Sequence, residues 1–466
     1  MEEVNQKQSQ ENKMGHAPML KLIMSMSLPA MFSMLVQALY NVVDSVFVSQ
    51  ISTGDAELTA VSIAFPIQML LIAFGVGTGI GLNSLVSRRL GEQDFKAANS
   101  AATHGILLGI LNWVIFAVFG IAFSRLLMPL FTNNAAIAEM SINYLHIVTV
   151  FSFGVFIEIN LEKTLQATGN MIFPMLFQLS GAIINIIFDP IFIFGWFGLP
   201  AMGVTGAAIA TVMGQIISMI FAIVVVFTRE HAVHITFKGF RLSWRTIKDI
   251  YAVGIPSIIM QSIGSLLIMG LNGILKGFSD TATAVLGVYY KLQSFVFMPV
   301  FGLTHGVLPI MGYNFGARNK KRLLDALKIG SIIAFGIMLA GTVLFWLIPG
   351  RLLQIFNASE EMLRIGIPAL RIISLCFVFA ALGIMFSTLF QAIGMGAKSL
   401  FISVLRQLVV ILPVAWALSK VGLGYVWYAF PIAEVVSLTA SIYIFKMLYD
   451  KRLQYIQQED TKNAAE

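Results

Sequence analysis

Three apolar stretches of the chain carry polar side chains at helical spacing. In the first stretch, Gln37, Asn41 and Asp44 are separated by four and three residues, which places them on one face of a helix. Two later stretches contribute the remaining members of the set, which are Gln178, Asn185, Asp189 and Thr211. Carboxylate, amide and hydroxyl oxygens are hard ligands, so the pattern predicts a site for Na⁺ or a proton.

The expected depths of these residues in a membrane agree with a single site. Asp44, Asp189 and Thr211 all fall in the outer half of their stretches, although the first two stretches run outward and the third runs inward. A carboxylate pair in a medium of low dielectric favours the uptake of a cation. The alternative is that each aspartate forms a structural hydrogen bond to a neighbouring helix.

Other charged residues also lie in apolar surroundings. Glu158 is expected at a wet inner mouth or in the cavity wall. Four more lie in the second half of the chain: Lys291, Arg371, Arg406 and Glu434. Charges inside a membrane are costly, so we expect these four to neutralise one another or to bond backbone carbonyls.

A cavity that accepts varied ligands needs adaptable walls. Methionine and phenylalanine are abundant, with 24 and 37 residues, and flexible thioethers suit such a wall. The predicted cavity residues are Gln37, Phe153, Glu158, Gln178, Met260, Gln261 and Met298. The alternative for the apolar members is ordinary packing or contact with lipid.

The elements that position these residues are predicted to be membrane-spanning helices. The chain has 466 residues, of which 58% are hydrophobic and 11% charged, whereas soluble domains carry about 25% charged residues. Apolar runs of roughly 20 residues recur from end to end. The predicted spans are 21–49, 58–86, 97–124, 140–165, 173–196, 203–228, 248–272, 284–311, 325–348, 363–391, 397–418 and 424–447.

The basic residues indicate how the chain is oriented. With the N-terminus in the cytoplasm, 22 of the 30 lysines and arginines fall in cytoplasmic segments and five in outer loops. This bias follows the positive-inside rule and predicts that both termini are cytoplasmic. The net charge of +7 therefore reflects topology and not a nucleic-acid partner. The polar N-terminus lacks the apolar core of a removable signal peptide.

The two halves of the chain match at an offset of 225 residues. The segment 165–169 (Leu-Gln-Ala-Thr-Gly) corresponds to 390–394 (Phe-Gln-Ala-Ile-Gly), and Leu90-Gly91 corresponds to Phe315-Gly316. Duplicated halves with an even number of helices imply a pseudo-twofold axis along the membrane normal. The expected organisation is a tail (1–20), a first lobe (21–228), a linker (229–247), a second lobe (248–447) and a tail (448–466).

The motifs as a set resemble the multidrug and toxic compound extrusion (MATE) family, and look closest to its bacterial MepA-like branch. They are Ser27-Leu28-Pro29 with Asp44, Leu90-Gly91-Glu92, Gln166-Ala167-Thr168-Gly169, the segments 185–190 and 206–211, and the segments 289–293 and 312–316. The resemblance covers the whole chain. It implies an all-α fold of twelve helices in two lobes and a cation-coupled antiporter for lipophilic, often cationic drugs and dyes.

The resemblance also implies particular residues. The family's first-lobe cation site maps to Asp44, Asn185, Asp189 and Thr211, with Thr205 as the other threonine candidate. Cation entry is expected to bend the first helix near its proline, Pro29. In one Na⁺-coupled branch the second lobe also carries acids, but here the equivalent helices offer Gln261 and Arg371. Coupling is therefore expected in the first lobe alone.

Several classes of function compete with the antiporter. A flippase for lipid-linked oligosaccharides or peptidoglycan precursors shares the architecture and would use a cationic cavity, so it stays an alternative. An enzyme is not expected, because the chain lacks a Walker loop and a His-Glu-x-x-His motif. We expect no cofactor beyond H⁺ or Na⁺, no obligate protein partner, and a monomer in the bacterial plasma membrane.

Overall fold

The structure is a computed structural model that describes residues 12–49, 56–128 and 131–454. Within these ranges the chain is almost entirely helical. Ten of the described helices are long and apolar enough to cross a bilayer alone, and two bent helix pairs raise the number to twelve if each pair is one span. The predicted all-helical architecture is confirmed.

The spans are labelled α1 to α12, and each lobe contains six. The first lobe comprises α1 (Met19–Ser49), α2 (Ala56–Gly91), α3 (Phe95–Leu127), α4 (Ala135–Val150 and Phe153–Ala167), α5 (Ile172–Phe194) and α6 (Gly203–Thr228). The second comprises α7 (Trp244–Lys276), α8 (Asp280–Gly316), α9 (Lys320–Leu347), α10 (Glu360–Ser374 and Phe377–Ala392), α11 (Gly396–Val404 to Leu412–Ser419, through a π-helical segment) and α12 (Ala429–Leu448). Short helices at Lys13–His16, Pro349–Gln354 and Leu423–Val426 lie between or before them.

Two predicted spans are not single helices, which corrects the sequence prediction. The fourth span bends by 43° after Val150, and the tenth bends by 46° after Ser374. Hydroxyl groups bond backbone carbonyls beside both bends: Thr149 Oγ1 donates to an upstream carbonyl at 2.6 Å, and Ser374 Oγ does so at 3.1 Å. Such bonds compete with the helical ladder and bend it. Thr149 and Ser374 are also 225 residues apart, so the bends belong to the repeat.

The repeat extends to the turns that follow these spans. Gly169 lies between α4 and α5 with φ of 90°, and Gly394 lies between α10 and α11 with φ of 83°. Glycine adopts this left-handed conformation without a steric cost. Backbone bonds from Asn170 to Leu165 at 3.1 Å and from Met395 to Phe390 at 2.7 Å close the two turns. The matching motifs therefore mark equivalent helix ends.

The lobes approach each other through glycines on α2 and α8. Each lobe brings two glycines four residues apart, Gly77 and Gly81 on α2 and Gly302 and Gly306 on α8. A Cβ added at Gly77 would lie 2.8 Å from the nitrogen of Ile258 on α7, and one at Gly302 would lie 2.6 Å from the nitrogen of Met31 on α1. Small residues allow such close helix packing in membranes. In one contact α2 of the first lobe packs on α7 of the second, and in the other α8 of the second lobe packs on α1 of the first. A pseudo-twofold axis requires this reciprocal pairing.

A second pair of glycines closes the interface at the face that carries the α2–α3 and α8–α9 turns, which we call the terminal face. A Cβ at Gly91 would overlap the carbonyl oxygen of Tyr313, and one at Gly316 would overlap the carbonyl oxygen of Arg88. Arg88 and Tyr313 are themselves 225 residues apart. The backbones of the two lobes are thus in direct contact at this face.

The N-terminal segment also bridges the lobes at the terminal face. Met14 is fully buried, and its carbonyl accepts hydrogen bonds from Asn314 Nδ2 and Arg322 Nη2, both at 3.0 Å. Arg322 Nη2 donates to the Ala17 carbonyl as well, at 2.8 Å. The linker that precedes α7 packs on α3, where His234 N donates to Asn99 Oδ1 at 2.7 Å. Both connecting segments are therefore held against the helices.

Candidate functional site

The predicted cation site depends on close packing between α5 and α6. A Cβ added at Gly214 would lie 2.7 Å from the carbonyl oxygen of Gly181 and 3.5 Å from Asn185 Cβ. The two backbones can approach this closely because neither glycine has a side chain. As a result, Asn185 of α5 reaches Thr211, one turn before Gly214 on α6.

The side chains at this crossing form a continuous hydrogen-bonded group. In the amide orientation that satisfies both ends of Asn185, its nitrogen donates to Asp189 Oδ2 at 2.7 Å. Its oxygen then accepts from the Thr211 backbone nitrogen at 3.1 Å and from Thr211 Oγ1 at 3.3 Å. Asp189 is completely buried, and Asn185 and Thr211 are 2% and 7% exposed. A buried carboxylate, an amide and a hydroxyl therefore meet inside the first lobe.

The other two predicted members of the site belong to α1. The side chains of Asn41 and Asp44 lie outside the described residues, whereas α1 itself continues to Ser49. The rings of Phe47 on α1 and Phe194 on α5 pack edge to face, with centroids 6.5 Å apart. Because α1 and α5 cross in the same direction, this contact sets residue 44 at about the depth of Asp189.

The structure favours Thr211 over Thr205 as the threonine of this group. Thr205 lies six residues earlier on α6, which corresponds to roughly 9 Å along the helix axis. Thr211 contacts Asn185 directly. Sequence alone left this choice open because the length of the α5–α6 connection was uncertain.

A second buried polar cluster lies nearer the terminal face, and sequence reasoning did not assign it. Glu162 Oε1 accepts from Lys163 Nζ at 2.9 Å and from Gln166 Nε2 at 2.6 Å, while its Oε2 accepts from Gln178 Nε2 at 2.9 Å. The side chains of Glu162 and Lys163 are only 3% and 4% exposed. Gln178, which the sequence predicted as a cavity residue, thus donates a hydrogen bond to Glu162. The signal for this cluster was an adjacent Glu-Lys pair inside an apolar span.

The predicted cavity residues lie in different environments. Gln37 on α1 and Gln261 on α7 are exposed, in the halves of these helices that point away from the terminal face. Met260 and Met298 are half-buried. Phe153 follows the bend of α4 and packs edge to face on Trp113, with centroids 5.5 Å apart. Glu158 is buried at 7% exposure.

The charged residues of the second lobe are largely compensated, as expected. Arg406 Nη1 forms an ion pair with Glu434 Oε1 at 3.0 Å. Arg371 Nε donates to the Trp346 carbonyl at 3.3 Å. Lys291 is exposed, and its ammonium lies 5.7 Å from the centre of the Phe356 ring. The bonds of Arg406 and Arg371 given above are therefore both to groups of the second lobe.

The lobe interface is closed at the terminal face and polar on the opposite side. At the closed end, α1, α4, α5 and α8 leave only a small gap with no room for a water molecule, and its lining includes Ser33, Gln166, Gln178 and His305. Towards the other side, α1 and α7 expose Gln37 and Gln261. Exposed amides at membrane depth face water and not lipid. The pattern indicates a cleft that opens away from the terminal face.

Twelve spans in two pseudo-symmetric lobes, closed at one face and holding a buried polar site, define a polytopic membrane transporter. The chain belongs to the MatE family, whose sequence profile matches residues 29–191 and 256–417, one match in each lobe. The family resemblance predicted from the motifs is confirmed.

Individual relatives cover nearly the whole chain. The chain is 25% identical over 437 residues to the multidrug export protein MepA of Staphylococcus aureus (strain MSSA476), covering 93% of this chain and 95% of that protein. It is 26% identical over 433 residues to MepA of Staphylococcus haemolyticus, with 92% and 94% covered. A solved structure described as the outward-facing conformation of a multidrug resistance MATE family transporter is 28% identical, with a TM-score of 0.89 and 96% of this chain and 98% of that chain covered.

Proposed function

We propose that this protein is a multidrug efflux antiporter that exchanges lipophilic, often cationic drugs for H⁺ or Na⁺ by alternating access. The observation that carries the proposal is the buried group of Asn185, Asp189 and Thr211 in the first lobe. An ionised carboxylate in such surroundings is costly unless a cation compensates it. Asp44, at a similar depth on α1, is the second carboxylate of the proposed site.

The substrate is proposed to bind in the cleft between the lobes. Its polar wall includes Gln37 and Gln261, and the half-buried Met260 and Met298 supply adaptable apolar surface. Two relatives that match almost end to end are called multidrug export proteins, which supports a broad substrate range. The protein is proposed to lie in the plasma membrane with both termini cytoplasmic. In this orientation the cleft between the lobes opens outward. The protein is proposed to work as a monomer.

The first helix offers a physical link between the cation and the lobe interface. Pro29 lies within α1 and lacks the N–H that would bond one turn back, which weakens the helix at that point. Ser27 Oγ, two residues earlier, donates to the Leu303 carbonyl of the second lobe at 3.3 Å. Asp44 lies on the other side of the proline. A cation that binds one arrangement of α1 better than the other would shift the equilibrium between the two transporter states.

Gradient-driven export from proteoliposomes tests this proposal. Ethidium export would be followed with an imposed H⁺ gradient and, separately, with an imposed Na⁺ gradient. Asp189→Asn keeps the shape but removes the charge, so it should abolish gradient-driven export while downhill leakage of ethidium is unchanged. Asp280→Asn, at an exposed carboxylate, is the matched control and should behave like the wild type.

The same preparation separates the competing functions. Full gradient-driven export by Asp189→Asn would contradict coupling at the first-lobe site. Translocation of a lipid-linked pyrophosphate without export of ethidium would instead identify a flippase. The Arg406–Glu434 ion pair counts against the flippase, because it neutralises one of the cations that a pyrophosphate site would use.

A further inference from the structure

Glu158 is a buried carboxyl group that the proposed coupling site does not use. It lies on α4, just beyond the bend, and is 7% exposed. Its Oε1 atom is inaccessible to solvent and has no hydrogen-bond partner among the described residues. An ionised carboxylate with a buried, unbonded oxygen is costly, so a group of this kind tends to bind a cation or a proton.

The positive charge near Glu158, the ammonium of Lys163, already forms hydrogen bonds with other residues. The charged neighbours of Glu158 are Glu162 and Lys163, both on α4. Lys163 Nζ is held by Glu162 at 2.9 Å and by Gln166 Oε1 at 3.1 Å. His305, on α8 across the lobe interface, is also near Lys163. One ammonium therefore lies near two glutamates, and its hydrogen bonds go to Glu162 and Gln166 and not to Glu158.

The position of Glu158 connects the two polar clusters of the first lobe. Gln178, which bonds Glu162, lies eleven residues before Asp189 on α5, or roughly 16 Å along the axis. Glu158 is one turn nearer to the depth of Asp189 than Glu162 is. Gln215 on α6 is level with Gly154, one turn before Glu158, because a Cβ added at Gly154 would lie 3.2 Å from the carbonyl carbon of Gln215. The Oε1 of Gln215 is also buried without a partner among the described residues.

We propose that Glu158 is a second proton-binding residue in series with the Asp189 site. A proton that leaves the carboxyl group of Asp189 would bind Glu158 Oε1 and form a neutral carboxylic acid. It would then pass to water at the terminal face when the lobes part there. The closed interface around Gln166, Gln178 and His305 would hold the proton in place until that movement.

A proton fits this position better than a metal ion does. Among the described residues, no group of three or more histidine, cysteine or acidic side chains is arranged to hold a metal ion. A neutral carboxylic acid also needs no bonded counter-ion, and the nearby ammonium of Lys163 is bonded to Glu162 and Gln166 instead. The inference rests on the proposed antiport function, since it assigns a step in the path of the coupling ion.

The test measures protons directly. Purified transporter in a weakly buffered solution would be mixed with ethidium, and proton release would be followed with a pH indicator. Glu158→Gln should bind ethidium but release fewer protons per bound ethidium than the wild type, and it should lose proton-driven export. The infrared band of protonated carboxylic acids should also lose the component that Glu158 contributes. Glu139→Gln, at an exposed glutamate, is the matched control and should change none of these.

The outcomes distinguish the two proposals. Normal proton release and normal proton-driven export in Glu158→Gln would overturn the role of Glu158. If Asp189→Asn has lost gradient-driven export in the same assay, the proposed function still stands. Export driven by Na⁺ alone would overturn the proton role but not the antiport. Normal export by both variants would overturn both proposals. If Glu158→Gln does not assemble, Glu158→Asp keeps the acid, so its infrared band should shift; an unchanged band would refute the assignment.

Discussion

Replacing Gly91 with alanine should shift the transporter away from the state that is closed at the terminal face. The added Cβ would overlap the Tyr313 carbonyl oxygen and lie 2.8 Å from the Ala317 nitrogen. Both are backbone atoms of the second lobe, so no side-chain rotation can make room. The lobes themselves must separate.

The size of the effect follows from the cost of overpacking. Forcing an extra methyl group into a packed interface costs about 1–3 kcal/mol. Alanine also favours the helix by up to about 1 kcal/mol over glycine, but that gain applies to both transporter states and cancels. The population of the closed state relative to the open one should therefore fall by roughly 5- to 150-fold. Gly316→Ala should act similarly, because it meets the Arg88 carbonyl in the equivalent contact.

Distances between spin labels would report this shift. The sequence has one cysteine, the buried Cys376, so labels can be directed to cysteines introduced at Lys96 and Lys321, which are exposed and on opposite lobes of the terminal face. The distance distribution should broaden to longer values in Gly91→Ala. Gly336→Ala has no atom within 4 Å of the new methyl group and should not change it. An unchanged distribution in Gly91→Ala would refute the steric argument.

Two further substitutions test the packing of charged groups. Lys163→Met leaves Glu162 buried without its ammonium, so we expect the apparent melting temperature in detergent to fall by an amount equivalent to about 3–5 kcal/mol. Adding Glu162→Gln should recover most of the loss, and no recovery would contradict the ion-pair argument. Arg322→Gln removes two charge-assisted bonds to the segment 13–17, worth roughly 1.5 kcal/mol each, and should speed hydrogen exchange there. The exposed neighbour Lys321→Gln should leave that exchange rate unchanged.

The sequence predicts most of this architecture because hydropathy and the repeat act over long distances. The motifs around Gly169 and Gly394 were enough to align the halves, and both residues have the same left-handed conformation. The bends in α4 and α10 escaped prediction since neither contains proline or glycine at the break. They depend on hydroxyl groups such as Ser152, whose Oγ donates to the Thr149 carbonyl at 2.7 Å. A hydropathy window does not distinguish such a bond from regular helix.

The site was only partly predictable for a related reason. Helical spacing brought Asn185 and Asp189 together, because they are four residues apart on one helix. The choice of Thr211 depended on how α5 and α6 align, and the glycine contact at Gly214 fixes that alignment. The pairing of Glu162 with Lys163 was not expected, because adjacent residues do not face each other on a helix.

The two lobes share one arrangement of helices but differ in the residues at the position of the proposed cation site. The offset of 225 carries Asn185, Asp189 and Thr211 onto three valines, which are Val410, Val414 and Val436. The same offset carries Gly181, where α5 and α6 pack closely, onto Arg406, which in the second lobe pairs with Glu434.

The second lobe therefore has an ion pair where the first lobe has a glycine contact. A closed Arg406–Glu434 pair gives an incoming cation little to compensate, whereas the first lobe has Gly181 at the position that corresponds to Arg406. The interlobe contacts at Gly91 and Gly316 are symmetric, so both lobes take part in closing the terminal face. Only the first lobe carries the buried acid of the proposed coupling site. The cation would therefore act on one half of a symmetric interface, and α1 with Pro29 is the element that reaches from that acid to the second lobe.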